Sequence, residues 1–517
     1  MNIRKVFQGA ALFAIMGSLP AGAAMPRTYY IDALTGKDTN NGLSEQQPWR
    51  SLQQVNNHVF EPGDQIRFRA GRIYEGQLKP QGNGHAQQLI TIDQYGEGYK
   101  PRIQGNGVMP ATLHLLNAEG WEIRNLDISN YGADIRAHRT GVLVQLSDYG
   151  TASNIYLKNL EVHDVNGSLV KKDGGGAGII FSNGGRHTRS KFDSILVEDC
   201  TIKRCQRNGI LVNGNWSRTD WFPNEHVVIR GNLIEGVPGD GIVPTGCDGV
   251  LVEHNTMRDC PRLLPDTESA AGIWPWSCDN ALIQYNEVSD HKAPWDGQGF
   301  DSDWNCNNTV IQYNYSHDND GGFILVCDDG SAGTTQSCGN KGTIIRYNVS
   351  MNDGLRTTGK HAGFAPVFHI TGPVVNTRIY NNVIYLPERE IKMDSTLVEM
   401  GNWFGYADST YFANNIFYTH STADYVMSKS KRNVYSNNLY FGTHLNRPAD
   451  KAAVTKDPRF LAAPLTGMHG MEALKVFRLQ PGSPALRKGA ALPDKTTTDL
   501  YGNPLLLTPP NIGVDGR

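Results

Sequence analysis

Apolar and polar positions alternate along this chain in short runs, and the runs repeat. An apolar residue, a few variable positions, an asparagine and a further apolar residue recur in VVIRGNLIEGV from Val227, VLVEHNTMRDC from Val250, ALIQYNEVSDH from Ala281, TVIQYNYSHDN from Thr309, TIIRYNVSMND from Thr343 and TRIYNNVIYLP from Thr377. Period-two alternation over a few residues marks half-buried strands, and no run reaches helical length. The asparagines fall at Asn232, Asn255, Asn286, Asn314, Asn348, Asn382, Asn415 and Asn438, in steps of 23, 31, 28, 34, 34, 33 and 23 residues. Units this short hold one apolar face each and bury it only by stacking on their neighbours.

A second short strand precedes each copy: GIIFS from Gly178, GILVN from Gly209, GIVPT from Gly241, GIWPW from Gly272, GFDSD from Gly299 and GFILV from Gly322. Two or three such strands per turn, joined at Gly, Asn and Asp corners, predict an all-β right-handed parallel β-helix solenoid with like residues about 4.8 Å apart from coil to coil. An asparagine repeated in register at a corner can bond its amide to the next coil and satisfy groups that the bend would orphan.

The first residues change the picture at one end. Met1 to Lys5 is short and basic, Val6 to Pro20 mostly apolar, and Ala21 to Ala24 small, which reads as an export signal and predicts a secreted or periplasmic protein without a membrane anchor. Residues 25–110 read as an N-terminal cap with the first coils, 111–445 as the repeats and 446–517 as a closing segment. Ser51 to Val59 can form a short amphipathic helix over the open end of the stack. Eight cysteines follow the signal, a number that export permits to pair and that a solenoid can equally bury as small apolar residues; Cys247 and Cys278 share a column. A net charge of -3 and the lack of a basic run after the signal argue against a nucleic-acid partner. A monomer is expected, because a repeat array needs no partner to close its core.

The segments YYIDALTGKDTNNGLSEQQPWRSLQ and PGDQIRFRAGRIYEGQL resemble the N-terminal region of secreted pectin-lyase-fold proteins, and the coils from Trp121 to Tyr440 look like the β-helix repeats of that superfamily. The resemblance implies the fold and a polysaccharide substrate, while leaving the reaction open among hydrolases, lyases and other chemistries.

Candidate chemistry follows from strand parity. In each GI-x-V-x strand the third and fifth residues point outward. The third column then holds Ile180, Leu211, Val243, Trp274, Asp301 and Ile324, and the fifth Ser182, Asn213, Thr245, Trp276, Asp303 and Val326. Trp274 and Trp276 offer flat faces to sugar rings. Asp301 and Asp303 have Cβ atoms roughly 6.5 to 7 Å apart, a spacing compatible with either stereochemical course of glycoside hydrolysis. Two close carboxylates drive their pKa values apart, as an acid and a base or nucleophile require. Asp328 is a third candidate carboxylate, and Asp296, Asp318, Asp320 and Asp329 thicken the acidic text. His369, Arg356, His317 and Glu399, the last read as two coils beyond Asp303, are candidates for substrate contact, with Lys360 and His361 nearby. The first reading is a glycoside hydrolase. A calcium-dependent polysaccharide lyase is the second, since clustered oxygens suit a hard cation, with Lys292 or Lys360 as base. A noncatalytic glycan-binding protein is the third.

Overall fold

The structure, a computed structural model, describes residues 25–517 except 335, 391, 493–495 and 507; the export signal read at 1–24 lies outside the described residues. The chain winds as a right-handed parallel β-helix. The coils lay short strands on three faces. The first face runs from Thr28–Ile31 to Val434–Ser436, and the second from Ile73–Glu75 to Leu439–His444. The third begins at Ala111–Leu116 and continues through Phe300–Ser302, Ile324–Cys327, Phe368–Thr371 and Thr396–Gly401. The long strand Ile416–Val426 turns the corner, pairing with Val383–Leu386 on the second face and with Thr396–Gly401 on the third. The parallel stack therefore already includes Thr28–Ile31, inside the segment read as a cap. The helix that covers the open end spans Leu52–Asn57 and buries Leu52 and Val55.

Inside, like stacks on like. Ile229, Val252, Ile283, Ile311, Ile345, Ile379, Phe412 and Tyr435 pair in succession along the first face, all buried. The flanking positions of several of these strands are partly exposed, so it is the inward column alone that calls for packed β-branched and aromatic side chains.

The asparagines form the expected ladder. Nδ2 of Asn232, Asn255, Asn286, Asn314, Asn348, Asn382 and Asn415 each donates to Oδ1 of the next at 2.8–3.0 Å, and that same Oδ1 accepts the backbone N–H of the asparagine before it. Asp450 ends the column by accepting from Asn438. The residue before each rung turns the chain with a positive φ, including Tyr285, Tyr313 and Tyr347 at 53–57°. Left-handed backbone is costly for such residues, and the ladder supplies the bonds that hold the corner there. Their rings stack outside it, Tyr285 on Tyr313 at 4.9 Å. Beyond 445 the chain runs back along this corner and buries Phe460, Leu474, Phe477, Ile512 and Val514 against Tyr313, Tyr347 and Val383. All eight cysteines are free thiols, and seven are buried.

Candidate active site

The third face is where the coils are interrupted. Pro244 and Pro275 stand in adjacent strand positions, and there regular pairing gives way to isolated contacts such as Thr245 with Trp276 and Ile273 with Phe300. Proline lacks the N–H that a ladder needs. Regular strand resumes at Phe300–Ser302, with Asp301 and Asp303 on its outer side.

Register there corrects one expectation. Asp301 pairs with Leu325 and Phe300 with Ile324, so Phe323, not Gly322, occupies the glycine column. Ile324 and Val326 thus face the core, both fully buried, and Leu325 and Cys327 take the outward places. The column runs on from Leu325 to His369 and Glu399, which places Glu399 three coils from Asp301 in register with it, not two from Asp303.

Asp301, Asp303, Trp274, His369 and Glu399 meet in one cleft of about 580 Å³. Its walls are loops between coils that bring in Lys171, Ser269 to Ala271, Trp295, Asp296, Phe364 and Trp403. The fully buried Arg207 holds the loop at Ser269, with Nη2 donating to the Ser269 carbonyl at 2.5 Å and its guanidinium beside Asp240 and Glu268.

The carboxylates dominate the electrostatics. Asp301 is buried, its Oδ1 has no hydrogen-bond partner among the described residues, and the oxygens of Asp301 and Asp303 and the Cys327 sulfur come within 4.8 Å of one another. Burial first, then the charges of Asp303, Asp296 and Asp240, push the Asp301 carboxyl well above its usual range. Asp296 is pushed up to about 7 by burial and then by Asp303. Asp303 is raised to about 6 by burial, held back by the Cys327 S–H and Trp304 N–H that donate to Oδ1 at 2.9 and 2.7 Å and by the charge of Lys171. Carboxyls that stay protonated toward neutrality beside one that ionises earlier can carry acid and base roles together. Burial, then Arg356, pushes His369 down to about 4, so its imidazole is neutral at pH 7.

Other expected contacts lie elsewhere. Trp276 does not line the cleft: the 214–222 loop lays Trp216 across it, centroids 5.9 Å apart, with Trp304 at 5.3 Å on its edge, so no paired tryptophan platform forms. Trp274 is nearly buried, its Nε1 bonded to Asp240 and its ring under the Lys171 ammonium at 5.2 Å. Asp328 is spent on its own loop, accepting the N–H groups of Gly330 and Asn340 at 3.0 Å. Arg356 is buried behind the wall and donates to the carbonyls of Phe364 and Asp296. His317 sits on the second face between Glu287 and Asp318. Lys292 and Lys360 are exposed and do not line the cleft.

Sequence reasoning gave no role to Asp296, Lys171, Trp295, Phe364 or Trp403. The one local signal is the tight turn at Asp296 and Gly297, with φ of 59° and 75°, which aims Trp295 and Asp296 at the cleft.

Three comparisons bear on this geometry. A family described as "Right handed beta helix region" matches residues 177–359. A lacto-N-biosidase of Bifidobacterium longum subsp. longum is 28% identical over 82% of this chain and 31% of its own length. The chain thus spans about a third of that curated relative. A crystal structure of a GH136 lacto-N-biosidase from Eubacterium ramulus superposes with a TM-score of 0.60 at 26% identity, covering 80% of this chain and 67% of that one. What the chain shares with them is the right-handed parallel β-helix. A complex of XylC with xylose, 12% identical with a TM-score of 0.51 over 95% of this chain and 98% of that one, shares the fold.

Proposed function

We propose that the protein is a glycoside hydrolase of the lacto-N-biosidase kind, cleaving an oligosaccharide or polysaccharide in the cleft above Phe300–Ser302. The observation that carries this reading is the group of Asp296, Asp301 and Asp303 in one cleft with displaced pKa values. The likeness to lacto-N-biosidases over four-fifths of this chain supports the same reaction class.

In this reading Asp303, the first of the three to ionise, is the nucleophile or base. A general acid works best with a pKa near the operating pH, and Asp296 at about 7 is the proton donor to the leaving oxygen. Asp301, whose carboxyl burial and then its neighbours' charges push well above the usual range, keeps its proton and donates a hydrogen bond to Asp303 or to the sugar. The sequence paired Asp301 with Asp303; burial and charge move the acid role to Asp296. Trp295, Phe364 and Trp403 offer aromatic faces to the sugar rings, and neutral His369 with Glu399 offers hydrogen bonds to hydroxyls. Export belongs to the same reading, supported by the basic, apolar and small order of residues 1–24, and Edman sequencing of the exported protein would check it by finding a start near Ala24.

Asp296→Asn, Asp301→Asn and Asp303→Asn are assayed on a p-nitrophenyl lacto-N-bioside and on the natural-type oligosaccharide. Loss of the acid is tolerated when the leaving group is good, so Asp296→Asn should keep the aryl substrate and lose the oligosaccharide by about 10²-fold or more. Asp303→Asn should lose both, with azide restoring turnover on the aryl substrate. Near-normal turnover in Asp303→Asn would overturn the assignment. An unsaturated uronate at the new non-reducing end, beside the new reducing end that both reactions leave, would select the lyase.

A further inference from the structure

Away from the cleft, the returning C-terminal segment crosses the second face at Met468 to Gly470. The Tyr315 hydroxyl donates to the Met468 carbonyl at 2.9 Å, and the Gly470 N–H donates to both Glu287 carboxylate oxygens at 3.0 and 3.1 Å. The crossing places His469 over Glu287, the first residue of the strand Glu287–Ser289, and His317, the last of Tyr315–His317. Glu287 Oε1 lies 3.0 Å from His317 Nε2 and 3.4 Å from His469 Nδ1, and the three atoms all fall within 4.8 Å of one another.

We propose that Glu287, His317 and His469 form a zinc site that clips the C-terminal segment onto the coils. The donor set is two imidazoles and a carboxylate, which zinc favours over calcium or magnesium. Bonds of about 2.0–2.1 Å in a tetrahedron put ligand atoms about 3.3 Å apart, and the two carboxylate-to-histidine distances bracket that edge. The site also has the outer bonds that orient a metal-binding histidine: His317 Nδ1 faces Asp318 Oδ2 at 2.8 Å, and Asp318 Oδ1 accepts from Asn352 Nδ2 at 2.6 Å. Ring contacts fix both imidazoles, Tyr315 stacking on His317 at 4.2 Å and His469 meeting His317 edge-on at 4.8 Å. His469 is half-exposed while Glu287 and His317 are buried, so one coordination position opens to water. Two ligands belong to coils and the third to a chain more than 150 residues later, so a bound ion would tie the closing segment down by linkage.

The test uses the mature full-length protein, stripped with EDTA and titrated with ZnCl2 by calorimetry, with thermal unfolding followed in parallel. One zinc per chain and a midpoint that rises with zinc are expected. His469→Ala removes a half-exposed ligand without touching the core. It should abolish the rise, weaken binding by more than about 100-fold and leave glycan turnover unchanged, while Asp318→Asn should weaken binding about 10- to 100-fold. Cobalt distinguishes this site from the thiol-bearing group at Asp301, Asp303 and Cys327, because only the latter gives a thiolate charge-transfer band. No zinc uptake at tens of micromolar, equal uptake by His469→Ala, or a cobalt spectrum carrying the thiolate band as the sole site would each overturn the proposal.

Discussion

Replacing Asn348 by alanine removes one rung from the middle of the ladder. Its Oδ1 accepts the backbone N–H of Asn314 at 2.9 Å and Asn314 Nδ2 at 3.0 Å, while its Nδ2 donates to the Ile311 carbonyl at 2.9 Å and to Asn382 Oδ1 at 3.0 Å. The two acceptors lose little: Asn382 Oδ1 still receives the backbone N–H of residue 348. Asn314 loses the acceptor of its backbone N–H and of one Nδ2 hydrogen, the other Nδ2 hydrogen keeping the Ile283 carbonyl, in a site with no solvent access. A buried donor left unpaired costs about 1–3 kcal/mol, so two cost about 2–6 kcal/mol, with the void of the missing carboxamide adding to it. Urea unfolding should show a lower midpoint at unchanged slope, corresponding to roughly 4 kcal/mol. Hydrogen exchange at the Asn314 amide should accelerate more than that of amides ten coils away, because stacked repeats transmit a defect mainly to their neighbours. Asn348→Asp refines the argument. Its carboxylate keeps the acceptor for Asn314 but faces Asn382 Oδ1 without a proton to donate, so its defect should shrink as pH falls and the neutral acid forms. A midpoint change below about 1 kcal/mol for Asn348→Ala would refute the view that the ladder holds the corner.

Three further outcomes follow from the cleft. Turnover against pH should be a narrow bell, rising as Asp303 ionises near 6 and falling as Asp296 loses its proton near 7; a profile flat across neutrality would contradict the roles assigned to them. Lys171→Met removes a charge that holds Asp303 down, so the acidic limb should move to higher pH, and an unmoved limb would show that Lys171 does not act on Asp303. For Asp296, whose folded pKa of about 7 lies above the ordinary 3.8, the stability it contributes is full below 3.8 and is lost as pH rises through 7. Asp296→Asn should therefore gain on the parent protein across that window and stay ahead above it, which chemical denaturation at acid and at slightly alkaline pH would read out; an equal difference at both would refute it.

The solenoid and its ladder were legible because every coil repeats the same demand. A buried asparagine that must accept from the previous rung and donate to the next leaves the same mark each time, and eight such marks outweigh irregular loop lengths. Parity placed Asp301 and Asp303 on the outer side for the same reason. The glycine column misled at one coil, where Phe323 takes the glycine's place and the alignment slips by one residue, exchanging Ile324 for Leu325 and Val326 for Cys327.

What parity cannot supply is what covers an outward side chain. Trp276 points outward as expected, but a loop some sixty residues earlier lays Trp216 on it; His317 points outward too, and a segment some 150 residues later closes over it. The cleft is built the same way. Its floor belongs to strands and follows a rule that acts over two residues, whereas Lys171, Trp295, Asp296, Phe364 and Trp403 arrive on four separate loops whose paths depend on packing between coils. Because an outward column is common to every coil, it is the loops that decide where along the stack a sugar can be held. Chemistry on this fold therefore depends on strand carboxylates and loop residues meeting at one coil, and the break in pairing at Pro244 and Pro275 lies where they meet.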